Sequence, residues 1–200
     1  MSSFPTPLLA PPGAGLPKLE LMIARWMFAR HRKRHSREAI RRQFEDERGR
    51  IVDMAASSDP RIASAPVLIK RLRGLEDSSR NWSVYMTLEH LRIVNSAAER
   101  VIRSLSNGVV PEGKASTAAV KPANGIGPEV LPAFADCCDA FLQTEAEIAD
   151  LRTASTYAHP WFGPLDAAGW HAMIAFHMRL HRVQVEEILR AQELSARRTA

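Results

Sequence analysis

Long stretches of the sequence carry an apolar residue at every third or fourth position, and none alternates apolar with polar residues for long. The clearest stretch begins at Trp82 and ends near Ser106. Its apolar stripe consists of Met86, His90, Ile93, Val94, Ala97 and Val101. Because this period is that of an amphipathic helix and a half-buried strand has a period of two, the sequence predicts an all-α protein.

The same spacing predicts four further helices. They are expected over 17–33, 36–59, 130–151 and 166–190. Ser36 and Asp166 are residue types that cap helix N termini, and Asn107-Gly108 is typical of a helix end. Residues 107–128 contain three prolines and four glycines without any period, which indicates a long loop. The prediction is a four-helix bundle over 36–192, with this loop between its second and third helices and an extra basic helix in front.

The positive charge is concentrated near the N terminus. The chain has a net charge of +5, and residues 25–50 alone hold ten Lys or Arg against four acids. We expect the basic amphipathic helix at 17–35 to pack on the bundle through its apolar stripe, with the charges in solvent. An anionic membrane surface is the main alternative partner of this helix. Nucleic acid is disfavoured because no base-reading motif accompanies the charge.

Other features bear on the compartment and on the ends of the chain. Cys137 and Cys138 are neighbours, so a disulfide between them would close no useful loop. No stretch is long and apolar enough to span a bilayer. We therefore expect a cytoplasmic protein. We also expect residues 1–16 to form a flexible Pro-rich leader and residues 193–200 to form a C-terminal tail.

Three histidines are the strongest chemical signal. His177 and His181 are four residues apart, so they lie on one face of the last helix, and that face is mostly apolar. His90 lies on the apolar stripe of an earlier helix. Imidazoles pointing inward from two helices could share one divalent cation and leave coordination positions open for water or substrate. The alternative is that each is a hydrogen-bonded core residue.

Three separate segments carry a resemblance to a known family. They are Asn81-Trp82-Ser83 followed by Leu88-Glu89-His90-Leu91, the pair His177 and His181, and the heptapeptide HPWFGPL at 159–165. In order and spacing, the region 36–192 resembles the DinB/YfiT-like superfamily. This resemblance implies an up-down-down-up bundle, with His90, His177 and His181 binding zinc or nickel. It also implies a homodimer, and it suggests a reaction with a low-molecular-weight thiol.

Glu47 is the predicted catalytic residue, although the resemblance supplies no catalytic base. It falls between Phe44 and Ile51 on an apolar stripe, where a carboxylate is costly unless it is paired. Glu47 could act as a general base or accept a proton from a ligand's second ring nitrogen. The alternative is an ion pair with a cation of the bundle.

Two functions therefore remain open. One is a metal-dependent enzyme of thiol-transferase or hydrolytic type acting on a small molecule. The other is a non-catalytic, metal-stabilised module that binds a ligand or a protein.

Overall fold

The computed structural model describes residues 8–199, and six helices account for most of them. They are α1 (Lys18–Arg34), α2 (Arg37–Ser57), α3 (Pro60–Ser64), α4 (Val84–Ser106), α5 (Val130–Glu147) and α6 (Ala167–Thr199). The predicted caps are present. Ser36 accepts a hydrogen bond from the backbone of Ala39, and Asp166 accepts one from the backbone of Gly169. None of these helices combines the length and apolar character needed to cross a membrane.

Two small antiparallel hairpins interrupt the helices. Strand β1 (Val67–Leu68) pairs with β2 (Asn81–Trp82), and β3 (Tyr157–His159) pairs with β4 (Gly163–Leu165). Each strand has only two or three residues, which is too short to produce a readable alternation in the sequence. A 3₁₀ turn at Asp77–Ser79 lies just before β2.

Helices α2, α4, α5 and α6 form the four-helix bundle. Contacts between the helices fix their directions. Arg37 to Glu145 and Arg48 to Asp139 make α2 and α5 antiparallel. Gln43 to Ala175 and Glu47 to Arg182 make α2 and α6 parallel, and Ser96 to Cys137 and Glu99 to Thr144 make α4 and α5 parallel. The order is therefore up-down-down-up, which confirms the predicted fold class.

The bundle core is made of large side chains from all four helices. The fully buried ones include Phe44, Leu88, Leu91, Phe134, Phe141, Ile174, Met178 and Ile188. Phe44 of α2 stacks on Phe141 of α5, with ring centroids 4.7 Å apart. The parallel pair α4 and α5 requires a connection that returns along the whole bundle, and the loop at 107–128 provides it.

Helix α1 packs on the bundle through the opposite face from the one we expected. Its buried residue is Phe28, whose ring stacks on Phe162 at 4.4 Å. Arg32 pairs with Asp166 at 2.6 Å, and the Arg25 guanidinium donates to the Trp161 carbonyl. The expectation that the apolar stripe would pack on the bundle is wrong, because the face with Phe28 has both an aromatic partner and a carboxylate partner in the β3–β4 region.

The ends of the chain also differ in part from expectation. Residues 8–16 have no regular secondary structure, but the backbone N–H of Ala10 donates to Asp77 and that of Gly13 donates to Glu76. Residues 1–7 of the predicted leader lie outside the described residues. The predicted tail is helical as far as Thr199, because α6 continues past the bundle.

Candidate metal centre

His90, His177 and His181 meet between α4 and α6. The Nε2 atom of His177 is 3.2 Å from Nε2 of His90 and 3.0 Å from Nε2 of His181. One ring nitrogen from each residue lies within 4.8 Å of both others. The helical spacing of four residues aligns the two α6 rings, and the antiparallel α4 brings in the third. The predicted cluster is therefore present.

Hydrogen bonds at the far side of two rings fix their tautomers. Nδ1 of His90 lies 2.7 Å from the carbonyl oxygen of Val120, which can only accept. Nδ1 of His181 lies 2.7 Å from Oε1 of Gln184, whose amide nitrogen donates to the Ser79 carbonyl at 2.8 Å. Both Nδ1 atoms must therefore carry the proton, and each neutral ring directs its Nε2 lone pair into the cluster.

Burial keeps these rings neutral. Removal from water lowers the pKa of His90 to about 4, although the Val120 hydrogen bond works in the other direction. Burial also lowers the pKa of His177 and His181 well below the usual value. A positive charge on a neighbouring histidine ring would lower their pKa further. Neutral imidazole is the form that binds a metal ion.

The donor geometry fits a divalent cation. A proton on Nε2 of His177 could satisfy the lone pair of only one neighbouring ring, whereas a cation would satisfy all three nitrogens. Tetrahedral coordination with Zn–N bonds of 2.0–2.1 Å places ligand nitrogens about 3.4 Å apart, close to the two separations between Nε2 of His177 and Nε2 of His90 and His181. Nδ1 of His177 is buried and has no hydrogen-bond partner among the described residues. A rotation of that ring therefore breaks no hydrogen bond at Nδ1.

Aromatic and cationic side chains surround the cluster. The Trp82 ring lies 5.1 Å from the His90 ring and 6.2 Å from the His181 ring, centroid to centroid. Lys121 sits 5.3 Å above the Trp82 ring and pairs with the buried Glu76 at 2.8 Å. The Glu76–Lys121 pair and the His90–Val120 bond fasten the long loop over the histidines. His177 is the least buried of the three residues.

His159, in the β3–β4 hairpin, has a fixed tautomer. Its Nδ1 accepts from the backbone N–H groups of Trp161 at 3.1 Å and Phe162 at 3.4 Å. Nε2 therefore carries the proton in the neutral ring. Burial lowers the pKa of His159 to about 4, so the ring is neutral at physiological pH.

Glu47 does not hydrogen bond to the histidines. Its carboxylate accepts a hydrogen bond from the Arg182 guanidinium at 2.5 Å, and Arg182 also pairs with Glu186. Both side chains of the Glu47–Arg182 pair are largely buried. This is the structural partner that we considered as the alternative to catalysis, supplied by α6. The catalytic role of Glu47 stays a prediction.

Sequence reasoning missed the residues that orient the ligands. Gln184 lies three positions after His181 on the same helix face, so its spacing could have identified it. Val120 acts through its backbone carbonyl, which leaves no trace in residue type. The position of Lys121 depends on the path of a long loop without any periodicity.

Comparison with known proteins supports the fold. No protein-family model and no curated protein matches the sequence. A solved structure described as TT2238, a four-helix bundle protein, aligns with a TM-score of 0.57 and 22% sequence identity. The alignment covers 76% of this chain and 98% of that one. At this identity the similarity establishes the four-helix bundle and nothing about chemistry.

Proposed function

We propose that this protein is a DinB-like metal-binding protein that holds a divalent ion, zinc or nickel, through the Nε2 atoms of His90, His177 and His181. One observation carries the proposal. Two of the three rings have their Nδ1 protons committed to oxygen acceptors, so lone pairs converge on a point where the described residues provide no cation. Three neutral imidazoles leave room for a further ligand, as in reactive metal sites.

We further propose that the site is catalytic, with thiol transfer or hydrolysis on a small molecule as its reaction class. A divalent ion held there would act as a Lewis acid and lower the pKa of a bound thiol or water. The protein's own residues keep the imidazoles neutral, fix their orientation and exclude bulk water. Trp82 and the loop around Val120 provide the apolar walls. His177 is the least buried of the three histidines, and we assign substrate entry to its side.

Deep burial favours a second candidate function. His90 is 5% exposed and His181 is 3% exposed, and Met86 and Met173 are buried in the same core. A site so enclosed also suits an ion that stabilises the bundle of a ligand-binding or protein-binding module. The cytoplasmic location and the homodimer remain predictions under either function.

Metal content tests the first part of the proposal. The protein is purified without a metal-affinity column, and its divalent metals are measured by elemental analysis. We expect His177→Ala to lose the metal and His35→Ala, a change of an exposed histidine, to keep it. Circular dichroism checks that both variants are folded. Equal metal content in the wild type and in folded His177→Ala would contradict the assignment.

A thiol-transfer screen separates the two candidate functions. Chelator-treated and reloaded protein is incubated with a low-molecular-weight thiol and an electrophile, and thiol consumption is followed. The catalytic proposal predicts turnover in the reloaded wild type and none in His177→Ala. A metal-dependent rise in melting temperature without thiol consumption, and without hydrolysis of esters supplied in a parallel assay, would favour the stabilised module.

A further inference from the structure

Helix α1 presents an apolar face to solvent. Its outward side chains are exposed by about half to two thirds. They are Leu19 (65%), Met22 (61%), Ile23 (48%), Trp26 (63%) and Met27 (48%). At 100° per residue these five side chains fall within an arc of about 140°. A contiguous patch of this kind marks an interaction site, whereas scattered apolar residues do not.

The same face becomes basic in the last turns of α1. Arg30, Lys33 and Arg34 are exposed and lie in the same arc, and none of them pairs with a carboxylate among the described residues. Arg30 lies 5.6 Å from the centroid of the Trp26 ring. The one acid of α1, Glu20, is already paired with Arg71. The face therefore combines apolar side chains with a net positive charge.

The inner side of α1 is anchored, so the apolar face cannot turn inward. Phe28 stacks on Phe162 near the middle of the helix, and Arg32 pairs with Asp166 one turn later. Glu20 also accepts from the backbone N–H of Gly74 in the first turn. Rotating α1 to bury Trp26 would break all three attachments. The outward orientation is thus built into the packing.

We propose that this face, Leu19 to Arg34 of α1, docks on an anionic lipid bilayer surface. Trp26 and the aliphatic side chains would enter the headgroup region, and the three cations would neutralise lipid phosphates or carboxylates. A second copy of the chain fits less well, because a two-fold contact would bring one cationic face against another, and Glu20, the one acid of α1, is already paired with Arg71. The inference is independent of the metal site.

Vesicle co-sedimentation of the full-length protein tests the proposal. Wild-type protein should bind vesicles of phosphatidylglycerol and phosphatidylcholine at low salt, bind less at high salt, and not bind pure phosphatidylcholine. Two variants change the α1 face: Met22→Ser/Trp26→Ser removes apolar side chains, and Arg30→Gln/Lys33→Gln/Arg34→Gln removes charges. Their controls make the same kinds of change at exposed positions elsewhere, Val109→Ser/Val110→Ser and Arg73→Gln/Arg100→Gln/Lys114→Gln respectively.

Each basic side chain near the surface contributes about fivefold in partitioning, so neutralising three should weaken binding roughly a hundredfold. The serine variant on α1 should also lose binding, and both controls should bind like the wild type. Three results would overturn the proposal: no binding at low salt, equal losses in the α1 and control variants, or unchanged binding by the serine variant. A lipid-free dimer abolished by Met22→Ser/Trp26→Ser would assign the face to a second copy.

Discussion

Replacing Gln184 by leucine should weaken metal binding although none of the three metal-binding histidines is changed. The Gln184 side chain is fully buried, accepts from Nδ1 of His181 at 2.7 Å and donates to the Ser79 carbonyl at 2.8 Å. Leucine would leave both partners unpaired. Each buried unsatisfied group costs about 1–3 kcal/mol, so the free energy of unfolding should fall by about 2–6 kcal/mol. Loss of the group that orients a ligand typically lowers metal affinity about 10- to 100-fold.

Gln192→Leu is the matched control for this prediction. Gln192 lies about 12 Å further along α6 and also makes two hydrogen bonds, to the carbonyls of Ile62 and Ala65, but it is remote from the histidines. Affinity is measured by competition with a chromophoric chelator, and stability is measured by chemical denaturation. Folded Gln184→Leu with wild-type affinity, or equal affinity losses in both variants, would refute the role given to Gln184.

Three other predictions test the surroundings of the site. Burial lowers the pKa of His171 to about 4, so its contribution to stability is present above pH 6.5 and is lost as the pH falls toward 4. His171→Gln should therefore remove about 2 kcal/mol from the difference in unfolding free energy between pH 7 and pH 5, measured by urea denaturation. Glu47→Gln should lower the free energy of unfolding by about 1–3 kcal/mol, because it removes the charge partner of Arg182, and it should leave metal affinity unchanged. Lost activity with unchanged stability would instead support catalysis by Glu47. Burial raises the pKa of both the Cys137 and Cys138 thiols, so a chromogenic disulfide reagent should label the native protein slowly at neutral pH, and rapid labelling would contradict their placement.

The sequence was most informative where periodicity and burial coincide. The stripe around His90 and the spacing of His177 and His181 predicted that inward rings of two helices would meet. The stripe was only partly right, because Ile93, Val94 and Ala97 are half-buried and Leu88 and Leu91 carry more of the core. The direction of the helices agreed with the family resemblance, because the long loop at 107–128 allows α4 and α5 to run parallel.

The orientation of α1 could not be predicted in the same way. Its apolar stripe from Leu19 to Met27 is as regular as those of the bundle helices, yet it faces solvent. The reason is long-range: Phe28 and Arg32 find partners in the β3–β4 region, far away in sequence. Periodicity describes one helix at a time and does not include such partners.

The same limit applies to Glu47. Its position on a buried stripe correctly indicated a need for a partner, but the sequence left open which cation of the bundle would be that partner. The choice of Arg182 follows from the parallel packing of α2 and α6, which brings residues 135 positions apart into contact.

X-ray absorption at the metal edge shows directly whether His90, His177 and His181 share one metal ion. The measurement uses protein purified without a metal-affinity column, with the metal that it carries. We expect three imidazole nitrogens at about 2.0–2.1 Å from the metal, recognisable by scattering from the outer ring atoms, together with a further light ligand. Any metal that folded His90→Ala retains should be bound by two imidazoles at most. A metal spectrum without imidazole scattering, or one unchanged in His90→Ala, would contradict a centre built from these three histidines.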